Sequence, residues 1–268
     1  MALPVNDWGT EPQKRELLPA FAGSDFVPGS VALVEPRMQW DPFRPSTRAR
    51  REGDSYVIDG EKCFVPWIEG GSHVLVIATE GDAAQAYVVP RDVAGLRATP
   101  ERNMGVDALP MVELALEGVR VPASARLGGE AGSDTRQLVN RGRVALAACG
   151  VGVARASFEI ARDYAKEREA FGAPIATKQA IAFKLADMAI EIDAARLLIW
   201  EAAWMLDRGE DTTREATLAY DQVQRTALDA ADGAVQVLGG HGYIREYFPE
   251  MHLRNARGFA CFEALALV

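Results

Sequence analysis

Proline is spread so unevenly along this 268-residue chain that it divides the fold before any other pattern is considered. Of the 14 prolines, 12 lie at or before position 122, and only Pro174 and Pro249 follow. Proline carries no backbone donor and clashes with the preceding helical turn. Long helices are therefore expected only in the second part, with strand and turn in the first. The division predicts two domains of ordinary size, residues 1–128 and 129–268.

The composition belongs to a globular protein. Hydrophobic residues make up 49% and charged residues 25%, which excludes disorder, collagen-like repetition and a disulfide-stapled miniprotein. The formal net charge is -9, and both parts are acidic, with 13 basic against 18 acidic side chains in 1–128 and 16 against 20 in 129–268. A groove that neutralises phosphates is not expected, so nucleic acid is excluded as a partner. The longest run without strongly polar residues, Val144 to Ala154, is too short to cross a bilayer, so no membrane partner is expected. The first residues carry early acids and no apolar stretch, unlike a secretory signal. Cys63, Cys149 and Cys261 are far apart, and with three scattered histidines they form no metal-ligand spacing. A reducing, cytoplasmic location is the default expectation, with the cysteines as small apolar fillers.

In the first part, Val31–Val34, Thr47–Glu52, Tyr56–Asp59, Lys62–Val65, His73–Thr79, Gln85–Val89 and Met111–Leu116 have β-branched or alternating character. Turn signals such as Glu52-Gly53-Asp54, Asp59-Gly60, Gly70-Gly71 and Gly81-Asp82 separate them. Short strands at close spacing predict an antiparallel meander or barrel-like domain, entered by one short helix over 11–20. The second part predicts an up-down bundle of four helices. They run from Ser133 or Asp134 to Arg168, from after Pro174 to Asp207, from Thr212–Thr213 to Gly239-Gly240, and onward from Pro249. On the second, Leu185, Met188, Ile192, Ala195, Ile199 and Ala202 form one stripe. The overall class is α+β.

No phosphate loop, dinucleotide fingerprint, nucleophile elbow or His-Glu-x-x-His motif is present. Three segments stand out, each open to two readings. Lys166–Ile175 with Gln179 is either a helix end capped by Gly172 and restarted at Pro174, or a phosphate or ring contact built on Arg168. Gln236–Tyr243 is either a helix cap with a tight turn, or a glycine cradle for a ligand. His241 within it has no sequence neighbour that would make it a base. Glu263 is the only charge after Arg257, among Phe259, Cys261, Phe262, Leu265 and Leu267. It is either a surface glutamate near the chain end, or a carboxylate whose pKa apolar surroundings raise toward that of a general base.

These segments, in this order, resemble the acyl-CoA dehydrogenase family. So do Trp8–Lys14, Ala32–Pro36, Asp59–Lys62, Val88–Arg91 and Val119–Pro122. The resemblance covers the middle β domain and the C-terminal helical domain. It implies α,β-dehydrogenation of an acyl-CoA thioester with FAD as cofactor and an electron-transferring flavoprotein as acceptor. It also implies a homo- or hetero-oligomer, dimer or tetramer, in which a neighbouring protomer completes the flavin site. Arg168, Phe171, Gln179, Gln236, Gly239 and Gly240 fall on the cross-subunit cofactor positions. Leu33 and Val34 fall on the strand whose backbone faces the flavin, and Phe64 on the aromatic position beside the ring. Glu263 falls on the catalytic base, and Arg143 and Phe262 on substrate-proximal positions.

Several residues depart from the family pattern. Val34 replaces a threonine, Arg37–Phe43 replaces a glycine-rich stretch, and Pro66 replaces a residue that offers a hydroxyl and an N–H to the flavin. Ala264 replaces a glycine. The family's N-terminal helical domain has no counterpart here, so an open, wet acyl pocket is expected, with incomplete desolvation of Glu263. These departures support an alternative, a degenerate or half-site subunit that completes a partner's FAD site.

Overall fold

The computed structural model describes residues 1–259 and 261. Among these, two compact units separate, one of Met1–Arg102 with Asp107–Gly142, the other of Asn103–Val106 with Arg143–Cys261.

In the first unit, helices α1 (Ala2–Trp8) and α2 (Glu11–Phe21) precede seven strands. Thr10 caps α2 in a capping box with Gln13, which uses its side-chain amide twice more. The Gln13 amide donates to the carbonyls of Ser124 (2.8 Å) and Arg126 (2.9 Å), tying the helix to the chain beyond the last strand. The strands are β1 (Val31–Ala32), β2 (Arg48–Glu52), β3 (Ser55–Pro66), β4 (His73–Glu80), β5 (Ala83–Pro90), β6 (Leu96–Glu101) and β7 (Met111–Pro122). They form one sheet in the order β1-β4-β2-β3-β7-β6, with β5 on the other edge of β4.

The expected antiparallel barrel is corrected on two counts. The pairs β1/β4 and β2/β4 are parallel, and among the described residues no pairing joins β5 to β6, so the sheet is open. The reason is connectivity. The fifteen or so residues between β1 and β2 are long enough to return the chain in the same direction, so β1 and β2 follow one another along β4 rather than forming a hairpin.

Asp59-Gly60, with the composition of a turn, is instead a bulge inside one long strand. The register of β3 on β7 shifts between Ile58 and Gly60, and a Cβ on Gly60 would lie 2.7 Å from the Thr47 backbone. Asp59 accepts a 2.7 Å hydrogen bond from the Gly118 N–H across the bulge. Strand β6 escapes the pattern because it is an edge strand with exposed residues and Pro100 within it.

The second unit holds most of α3 (Thr135–Glu167), then α4 (Gln179–Asp207), α5 (Thr213–Leu238), the single turn α6 (Gly240–Tyr243) and α7 (Pro249–Gly258). The starts and stops follow the expected glycine and proline marks within a few residues. On α4, Met188, Ile192, Ala195, Ile199 and Ala202 of the expected stripe are buried. Its outer face is apolar too, with Phe183, Ile190, Leu197, Trp200 and Trp204 exposed. By length and composition alone α3 is apolar enough to cross a membrane. Here it packs against protein: a Cβ on Gly150 would sit 2.5 Å from Val223 of α5, and Ser157 pairs with His252 of α7 at 3.0 Å.

One ion pair lies wholly inside the first unit. Glu35 and Lys62 meet at 3.0 Å with side chains 2% and 0% exposed. Glu35 also accepts from the backbone N–H and hydroxyl of both Ser46 and Thr47 at 2.6 to 2.8 Å. Lys62 donates further to the Leu33 carbonyl at 3.1 Å. Burial works to raise the Glu35 carboxyl, but Lys62 and the four Ser46 and Thr47 donors outweigh it and hold the pKa at about 2. Replacing Lys62 by Met leaves that carboxylate buried without its counter-charge and is expected to cost about 3–5 kcal/mol in urea unfolding. The Glu35 pKa is lower folded than unfolded. Its contribution is therefore full above the ordinary value of 4.5 and is lost as pH falls toward about 2. An acid titration of stability should show that loss in the parent and a flatter profile over the same window in Glu35→Gln.

Candidate functional site

Each unit carries candidate site residues of its own. In the first, the segment after β1 and the second half of β3 lie side by side. Leu33 and Val34 have buried side chains, 1% and 7% exposed. Their carbonyls accept from Lys62 and from the Cys63 N–H at 3.0 Å. Two steps along β3, Phe64 sits at a second bulge with φ of +52°, a left-handed conformation that costs a bulky residue of order 1–3 kcal/mol. The Glu101 carboxylate accepts the Phe64 N–H at 2.8 Å. Burial raises the Glu101 carboxyl against the pull of that N–H, with Glu113 adding like-charge repulsion.

The loop after β3 is clamped by Arg91. Its guanidinium stacks 4.0 Å over the Trp67 ring. It donates to the Ile68 carbonyl at 2.7 Å and to the Ser30 hydroxyl at 2.5 Å. Ser30 in turn donates to the Pro66 carbonyl at 2.5 Å. Gly71 leaves room for this arrangement, since a Cβ there would lie 2.5 Å from the guanidinium carbon. Sequence patterns alone gave neither the role of Arg91 nor that of Glu101, because each acts on residues distant in the chain.

In the second unit a cleft of about 570 Å³ is lined by Tyr164, Arg168, Ile175, Val237, Leu238, Gly239, Gly240, His241 and Ile244. Gly239 has φ of +61°, and a Cβ on it or on Gly240 would meet open space rather than protein, so bare backbone faces the cleft. Arg168 directly follows α3 and supplies a cation. A guanidinium beside an accessible glycine backbone fits a phosphate-bearing ligand. His241 has two tyrosine partners: the Tyr164 hydroxyl lies 2.8 Å from its Nδ1, and the Tyr247 ring centroid lies 5.0 Å away.

Of the other expected cofactor positions, Gln179 and Gln236 are exposed and do not line the cleft. Phe171 is 98% exposed. It occupies, with Gly172, the turn of a small hairpin, β8 (Glu169–Ala170) and β9 (Ala173–Pro174). Both turn residues have positive φ, +56° and +77°, as a tight hairpin turn demands. Arg143 is buried at 8% exposed, donates to Thr217 at 2.8 Å and lies 5.8 Å over the Tyr220 ring. The Tyr220 hydroxyl donates to the Phe259 carbonyl at 2.7 Å, so Arg143 and Tyr220 brace the chain just before its last segment. Phe262 and Glu263 lie outside the described residues.

Comparison with known proteins places this geometry. Residues 133–263 match the family described as "Acyl-CoA dehydrogenase, C-terminal domain". A probable acyl-CoA dehydrogenase of Bacillus subtilis (strain 168) is 41% identical over 265 residues, covering 96% of this chain and 70% of that protein. The short-chain specific mitochondrial acyl-CoA dehydrogenase of Bos taurus is 36% identical, covering 95% of this chain and 63% of that protein. Among solved structures, a glutaryl-CoA dehydrogenase from Mycobacterium smegmatis in complex with FADH2 superposes with a TM-score of 0.87 at 29% identity. It covers 99% of this chain and 69% of its own. The chain thus spans roughly two thirds of its relatives, and it belongs to the acyl-CoA dehydrogenase family, flavin oxidoreductases acting on CH–CH groups.

Proposed function

We propose that this chain carries out FAD-dependent α,β-dehydrogenation of an acyl-CoA thioester, with Glu263 as the catalytic base. The observation that carries this reading is the cleft that joins Arg168 to the bare backbone of Gly239 and Gly240. The Gly239 N–H is spent on the Val235 and Gln236 carbonyls, so the Arg168 guanidinium supplies the donors that suit the diphosphate of a dinucleotide, and the glycines supply room for it. In an assembled oligomer that cleft would serve a neighbouring protomer's cofactor, with Gln179, Gln236 and the exposed Phe171 available for contact. Phe64, held in place by Glu101, would lie beside the flavin ring, with the backbone at Leu33 and Val34 forming its support.

Bound FAD would supply the acceptor for the hydrogen leaving the β-carbon as hydride. The Glu263 carboxylate takes the α-proton, and its own backbone N–H donates to the thioester carbonyl, stabilising charge as it develops. Phe262 would border the acyl chain. Arg143, through Thr217 and across Tyr220, steadies the approach to this segment. Reoxidation would fall to an electron-transferring flavoprotein. Purified parent protein should be yellow and should bleach with an acyl-CoA. Glu263→Gln should keep the colour and lose the bleaching, and equal bleaching would assign the base elsewhere.

A specific observation favours a second reading, the half-site subunit. Pro66, the last residue of β3, has no N–H to offer, and Val34 has no hydroxyl. That reading expects colourless protein that turns yellow only with a partner chain.

Either reading needs a second protomer, and the outer face of α4 supports one. Trp200 and Trp204 are 62% and 58% exposed beside Leu197 and Ile190, an apolar patch of the kind that oligomer contacts cover. Trp200→Glu combined with Trp204→Glu is expected to shift sedimentation toward monomer and lower the flavin retained per chain. An unchanged assembly would remove this face from the contact.

A further inference from the structure

We propose that His241 is a ligand-binding residue whose Nε2–H donates to a phosphate oxygen of the nucleotide held in the bundle cleft, with the Tyr164 hydroxyl donating to Nδ1 in that state. This rests on the flavin reading above. Three observations meet at one ring.

The imidazole is fixed in place. The Tyr164 hydroxyl occupies its Nδ1 at 2.8 Å, and the ring is flanked by Tyr164 edge-on at 5.8 Å and by Tyr247 at 5.0 Å. Its position is also fixed along the chain, because His241 lies in α6 directly after Gly239 and Gly240. A Cβ on Gly242 would lie 2.4 Å from the Val235 carbonyl oxygen, so the turn packs closely on the end of α5. Finally, the ring has unspent capacity. His241 lines the cleft together with Arg168, and among the described residues no partner takes Nε2.

The chemistry of the pair selects the ligand atom. A neutral imidazole has one donor and one acceptor nitrogen, and the partner of one nitrogen decides the role of the other. When the Tyr164 hydroxyl donates to Nδ1, the proton sits on Nε2, which then donates. With Arg168 already lining the cleft, a second donor there matches a diphosphate, which offers several acceptor oxygens and no donor. Tyr164 therefore acts through His241 as a positioning residue rather than by contact of its own.

The test titrates the full chain, stripped of flavin, with FAD, ADP and adenosine by calorimetry, alongside thermal unfolding. His241→Ala is expected to weaken FAD and ADP by about tenfold and leave adenosine unchanged, the size of one lost hydrogen bond to a charged group. His241→Gln, which keeps a side-chain donor, should recover most of that loss. Tyr164→Phe should fall between parent and His241→Ala for ADP, without a change for adenosine. A purely structural role would lower the unfolding temperature and weaken all three ligands alike, overturning the proposal. Equal ADP binding by parent and His241→Ala would also overturn it. Parent protein that folds but binds neither FAD nor ADP would sink the flavin reading itself, a result distinct from either of these.

Discussion

The β unit depends on a buried charge pair. Taking Glu35 and Lys62 out of water costs several kcal/mol per ion, and that cost is offset by their mutual attraction and by the hydrogen bonds each of them makes. Glu35 spends its two oxygens on Ser46, Thr47 and Lys62, and Lys62 adds the Leu33 carbonyl. The pair thereby ties three stretches together at one point, adding to the ladder between β2 and β3. These are the segment after the two-residue strand β1, the start of β2 and the bulged middle of β3. A strand with two register shifts, one on each side of Lys62, is poorly specified by side-chain alternation alone. The ion pair fixes where it must lie, and with it the position of Phe64.

Much of this fold was legible in the sequence, and the elements that were not share a cause. Helix limits in the bundle could be read because glycine and proline act locally: Gly239 ends α5, and Pro249 begins α7. The stripe on α4 could be read because burial on one face imposes a period. Its exposed tryptophans could not, since a second apolar stripe interleaved with exposed Glu191, Asp193 and Glu201 blurs the contrast between faces. Strand β6 failed because its edge residues are exposed and Pro100 lies within it, and Gly60 failed for a reason of its own. Glycine marks any departure from ordinary strand geometry, so a bulge and a hairpin turn leave the same letters. The parallel pairing of β1 and β2 with β4 depends on where a loop returns, and loop residues carry little information about that.

The candidate site divides along the same line. Arg168, Gly239 and Gly240 are far apart in sequence, yet they line one cleft because α3 ends where α5 ends. Motif order identified them. What motif order could not supply is the bracing: Glu101 on the Phe64 N–H, Arg91 across Trp67, and Tyr220 on the Phe259 carbonyl. Each of these contacts joins residues at least 24 positions apart, by a hydrogen bond or ring contact that leaves no periodic trace. They are also the contacts that hold strained or irregular backbone. Phe64 at positive φ is affordable because a charge-assisted hydrogen bond offsets a cost of similar size.

The same bracing bears on whether Pro66 signals a degraded site. Read by itself, the substitution removes a donor from a stretch that would face the flavin. In the folded chain, however, the Pro66 carbonyl is held by Ser30, Ser30 by Arg91, and Arg91 by the face of Trp67 and the Ile68 carbonyl. The Trp67 N–H is bound to the Pro110 carbonyl at 2.8 Å. A proline in that position adds rigidity to a loop already pinned from two sides, and reduces the entropy lost on ordering it. Decay of a disused site tends to loosen such contacts, whereas here the Pro66 carbonyl and the Trp67 N–H are both committed to partners. The lost polar contact to the cofactor is therefore set against a more rigid platform. On that balance the exchange reads as an altered way of holding the flavin rather than as its abandonment.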